Sequence, residues 1–148
     1  MTGLLEVNMP LFKRKKIERP KNPLGMALFQ YDNIIKKELD GILKSLGAGK
    51  SMNPSRAEAL LDRTEYKLDY IIEDISKENL KIDYRSDKTR YMIIDMIQGL
   101  KDYFAKARQS GFNGERLLLD KKVKGPAEMA QQREDLKKKM KDIESDYV

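Results

Sequence analysis

Apolar side chains recur along this chain at helical spacing, and polar runs divide the recurrence into blocks. From Met26 onward, Leu28, Tyr31, Ile35, Leu39, Ile42 and Leu46 follow at steps of three or four. They share one face of a helix that Gly47 stops. After the loop 47–53, Asn53-Pro54 supplies a capping side chain followed by proline in the first turn. A second stripe of Ala57, Leu60, Leu61, Thr64, Leu68, Ile71, Ile72 and Ile75 predicts a helix to about residue 80. A polar break at 82–86 then offers Ser86 or Asp87 as a cap. The third helix, on Ile93, Met96, Ile97, Leu100, Phe104 and Ala107, ends near Gly111. Three long helices with short connections predict an all-α fold, an antiparallel three- to four-helix bundle over 26–110.

The flanks read differently. Residues 1–25 hold Pro10, Pro20, Pro23 and Gly25 and no long apolar period, the pattern of a flexible arm. Residues 111–125 read as a linker with a short helix carrying Leu117, Leu118 and Leu119, and 126–148 as a charged amphipathic helix. The seam of that last helix is thin: Met129, Leu136, Met140 and Ile143, with Tyr147 beyond its end. Such a seam either packs as a fourth helix or buries against another chain. Its small apolar area gains little from docking, which favours a helix that is mobile or held by a partner. Two of the four residues are methionines, which adapt to irregular surfaces. These four are the candidate residues for burial against a partner protein.

Composition narrows the chemistry. The 148 residues contain no Cys and no His, which excludes disulfides, thiol nucleophiles and thiolate or imidazole metal sites. A carboxylate-bridged dimetal bundle needs Glu-x-x-His on two helices and fails for the same reason. Gly49-Lys50-Ser51 ends like a phosphate-binding loop, but Lys44 stands where the first glycine belongs, and a helix leads in where a strand is required. With no readable nucleophile or acid–base pair, no enzyme, cofactor or small-molecule substrate is expected.

The net charge of +6 is unevenly spread. Six basic residues against Glu6 and Glu18 give the arm +4, whereas 26–113 and 114–148 each carry +1. Within the arm, Lys13, Arg14, Lys15 and Lys16 lie between Leu11, Phe12 and Ile17, a candidate anion-binding cluster for nucleic acid or an anionic membrane surface. On the second helix, Glu58, Asp62, Glu65, Asp69 and Glu73 fall within about 80° of one another. Arg56, Arg63, Lys67, Lys77 and Lys81 form a second stripe on the face away from the core. Such an acidic row is either a flank paired with Lys or Arg of a neighbouring helix, fixing register, or a docking strip for a basic partner. Glu65, Asp69 and Glu73 are the candidate steering residues. The tyrosines, among them Tyr66, Tyr70, Tyr91 and Tyr103, suit boundary positions, with a few as interface anchors.

The chain holds no stretch apolar enough to span a bilayer, and MTGLLEVNMPLFKRKK is not patterned as a signal peptide, so a cytoplasmic location is expected. Met9 is an alternative start. The expected function is a non-catalytic helical protein–protein interaction or assembly module, partnered by another protein or by itself. The rival expectation is an anion-binding accessory protein working through Lys13, Arg14, Lys15 and Lys16.

Overall fold

In the computed structural model of the chain, residues 22–77, 84–120 and 124–146 are described, the side chains of 84–86, 140 and 142–146 excepted. The fold is all-α. Helix α1 (Pro23–Ile34) passes through one π-helical turn (Ile35–Leu39) into α2 (Asp40–Gly47), so the three make one long rod. Then come α3 (Pro54–Ile75), α4 (Tyr84–Gln109), the short α5 (Gly114–Leu119) and α6 (Pro126–Asp146).

The rod starts three residues before the expected Met26. Asn22 caps it, its Oδ1 accepting from the backbone N–H groups of Leu24 (2.8 Å) and Gly25 (3.4 Å). Pro23 then occupies the first turn, where its missing N–H costs nothing. Proline read as a breaker is here an initiator. Asn53 repeats the device for α3, accepting from Arg56 N–H at 3.1 Å. Helix α4 also begins early, so Asp87 lies in its first turn and pairs with Arg90 one turn on, rather than capping.

Residue pairings give the directions of the helices. Arg108, near the end of α4, meets Glu58, Asp62 and Glu65 between the start and the middle turn of α3, and Lys101 meets Asp69 beyond them. Arg90 then lies beside the Ile75 carbonyl, so α3 and α4 run oppositely. Glu38 pairs with Arg63 and Lys67, while Pro23 and Met26 share a hollow with Ile75 and Lys77, so α1 also opposes α3. Helix α6 opposes the first rod: Pro126 sits by Gly47, Met129 by Leu43 and Arg133 by Asp32.

Between the helices lies one core. Leu24, Tyr31, Leu39 and Leu46 of the first rod meet Leu61, Leu68 and Ile75 of α3 and Ile93, Met96, Ile97, Leu100 and Phe104 of α4, all essentially without exposed surface. Each such side chain removed from water contributes about 1.5–3 kcal/mol. Thr64 is buried among them because its Oγ1 donates to the Leu60 carbonyl at 2.9 Å, leaving no unpaired hydroxyl. Met129 and Leu136 of α6 belong to this same core, at 4% and 0% exposure. The seam expected to await a partner is covered, at these two positions, by its own chain.

The loop 47–53 is pinned against the turn after α4. Met52 N–H donates to the Phe112 carbonyl at 3.0 Å, and Ser51 bridges to Asn113. Gly114 packs so tightly there that a Cβ would stand 2.5 Å from the Lys50 carbonyl oxygen. Gly49-Lys50-Ser51 is therefore a structural splice between helix ends, and Gly49 itself takes a left-handed φ of 81°.

Candidate interaction surface

Helix α3 lies between α1 and α4, and its geometry sorts its charges into those consumed internally and those left facing outward. The acidic row is largely consumed. Arg108 Nε donates to Glu58 at 2.7 Å, and its Nη2 reaches Glu65 at 2.5 Å and Asp62 at 3.2 Å. One guanidinium thus bridges three carboxylates spaced a turn apart, a task suited to Arg's planar fork. The Glu65 carboxylate, with Glu58 beside it, holds that guanidinium further toward its charged form than usual, against partial burial. Lys101 closes on Asp69 at 2.5 Å. Of the three candidate steering residues, Glu65 and Asp69 therefore face partners within the chain. Glu73 is exposed and pairs with no cation among the described residues.

On the other flank, Glu38 of the π-helical turn is mostly buried and accepts from Lys67 at 2.7 Å, with Arg63 at 3.5 Å. Between the two flanks stand Tyr66 and Tyr70, exposed by 69% and 55%, their rings 5.8 Å apart and tilted by 54°. Two large aromatic side chains left in water side by side form an amphipathic platform. Beside them a groove of about 500 Å³ runs between the first rod and α3, floored by Ile34 and Ile71 and edged by Gln30, Asn33, Lys37 and Asp74.

Two further surface features lie elsewhere on the fold. Along α4, Asp95, Gln98, Gly99 and Asp102 line a hollow of about 410 Å³ with Lys106 and Lys124. On α5, Leu118 and Leu119 are exposed, but that helix has only six residues. Neither joins aromatic area to a groove as α3 does.

Comparison with models of known families, with characterised proteins and with solved structures returned no match to this chain. Among the described residues no cluster of carboxylates is arranged to hold a metal ion, and no helix is long and apolar enough to cross a membrane. Lys13, Arg14, Lys15 and Lys16 lie outside the described residues, as do the side chains of Met140 and Ile143.

What the sequence reading missed is the groove and its tyrosine platform. The signal was present: Tyr66 and Tyr70 are four residues apart on the polar side of a helix whose core stripe is already complete without them.

Proposed function

We propose that this chain is a non-catalytic helical interaction module, and that its docking surface is the outer face of α3 with the adjoining groove. The observation that carries this reading is the exposed Tyr66–Tyr70 pair, two aromatic rings packed side by side at the edge of a groove. Exposed tyrosines supply contact area at low entropic cost and are frequent anchors of protein interfaces. This reading moves the contact surface away from Met129 and Leu136, which hold α6 in place. Glu73 keeps the steering role given to it, while Glu65 and Asp69 set the register of α3 on α4.

The test compares three forms of the full chain for stoichiometric protein association, each treated with nuclease: wild type, Tyr66→Ala/Tyr70→Ala, and a variant with Lys13, Arg14, Lys15 and Lys16 changed to Gln. The reading expects the tyrosine variant to lose association and the arm variant to keep it. Bound material that leaves with nuclease, and that depends on the arm alone, sinks the reading and restores the anion-binding alternative.

A further inference from the structure

The outer face of α3 is self-complementary. Ala59, Arg63, Tyr66, Tyr70, Glu73 and Lys77 are all exposed and follow one another at steps of four and three, the spacing of a coiled-coil seam. The six pair off about the level of Leu68: Tyr66 mirrors Tyr70, Arg63 mirrors Glu73, and Ala59 mirrors Lys77. We propose that this face docks a second copy of this chain across a two-fold axis at Leu68, with the two α3 helices antiparallel.

In that arrangement Tyr66 of each copy meets Tyr70 of the other, so four rings gather at the axis. Arg63 of each copy meets Glu73 of the other, and the symmetry makes this ion pair twice. Lys77 lays its stem over the small Ala59, removing a clash. The parallel alternative, with like residues level, sets Arg63 against Arg63 and Glu73 against Glu73, so the charge pattern selects the two-fold.

The flanks support the same choice. An antiparallel seam brings Asp69 near the second copy's Asp69 on one side and Lys67 near the second copy's Lys67 on the other. Like charges there would repel, but Lys101 neutralises Asp69 and Glu38 neutralises Lys67 within each chain. Arg63 is held only loosely: it stands 3.5 Å from Glu38, whose closer partner is Lys67 at 2.7 Å, and its side chain is 62% exposed. Glu73 pairs with no cation among the described residues. The symmetry thus brings a loosely held cation to a carboxylate that has no cation partner among the described residues.

This inference rests on α3 being the docking face, and commits that face to a second copy. Its test is sedimentation of the full chain over a wide concentration range, with helix content checked by circular dichroism. Wild type is expected to sediment as a concentration-dependent dimer. Arg63→Glu and Glu73→Arg, each alone, are expected to weaken self-association on the order of a hundredfold, since each sets like charges together twice. An equimolar mixture of these two variants is expected to regain the dimer, because every mismatched contact becomes matched. A wild type that stays monomeric, a dimer indifferent to both reversals, or a mixture that fails to pair each overturns the proposal. Tyrosine-dependent capture of a different protein by a monomeric wild type would sink the dimer and leave the module reading standing. Loss of that capture as well would remove both.

Discussion

Arg108 gathers Glu58, Asp62 and Glu65 around one guanidinium, and the three carboxylates would otherwise repel along α3. Arg108→Ala therefore removes three attractions and exposes a like-charge row. Because the carboxylates are partly in water, the expected cost is only about 1 kcal/mol, read as a lower urea midpoint that recovers in part at high salt. Arg108→Lys is expected to recover less than half, since an ammonium is a point charge that does not span three partners. Tyr103 gives a second residue-scale expectation. It is buried at 3% exposure, and burial pushes its hydroxyl up to about 12 from 10.0. The folded state thus holds that proton more tightly than the unfolded chain. The associated stability is complete below about pH 10 and drains away as the pH rises toward 12. Tyr31 is shifted in the same direction by deeper burial, with Asp32 adding and Arg133 opposing. Urea denaturation between pH 9 and 12 is expected to show a flatter alkaline decline in Tyr103→Phe than in wild type.

At the scale of the element, α6 shows how a thin seam suffices. Leu136 is fully buried and Met129 nearly so, and a lock of charge stands beside them: Asp32 of α1 faces Arg133 Nε at 3.2 Å and Lys137 Nζ at 3.0 Å. Arg133 Nε and Asp32 Oδ1 meet without hydrogen-bond alignment, so charge and not direction holds that pair. Asp32 and Arg133 are largely shielded while Lys137 is about a third exposed, so the Asp32–Arg133 contact is screened less than a surface pair. Leu136→Ala is expected to cost about 2–5 kcal/mol. Asp32→Asn is expected to cost less and to act locally, raising amide hydrogen exchange in α6 well before α3. Uniform exchange across both helices in that variant would show that α6 is not a separable unit. Leu136→Asp consequently reports on folding before it reports on any partner.

For the whole molecule, the long helices were legible because each buries one stripe, and stripes are written at fixed spacing. Ala57, Leu61, Thr64, Leu68, Ile71 and Ile75 in α3 read as core and are core. The docking of α6 was legible only as one of two alternatives, since the lock that accompanies it depends on Asp32, more than ninety positions away in sequence and unremarkable there. The internal pairing of the acidic row was legible as one of two alternatives, and only the direction of α4 decides between them. The tyrosine platform was visible as residues but not as a site, because the groove beside it forms only where α3 meets the first rod.

The wide turn at Ile35–Leu39 has a bearing on how this sequence tolerates change in length. Buried positions step from Tyr31 to Ile34, and then five residues to Leu39 before resuming at Ile42. Ile34 and Ile35 are adjacent and both apolar, so an unbroken α-helical stripe through Ile35 fits the sequence equally well and conceals the extra residue. In effect the rod carries a one-residue insertion that the π turn absorbs. Removing Lys36 should convert that turn to ordinary helix and leave both halves of the core in phase. Removing Lys44, where no slack exists, should rotate Leu46 off the core by about 100°. Thermal unfolding is expected to show a cooperative transition retained in the first deletion and lost or strongly lowered in the second. The middle of the first helix, ordinarily the least forgiving place for a change of length, is here a point where the chain has a residue to spare.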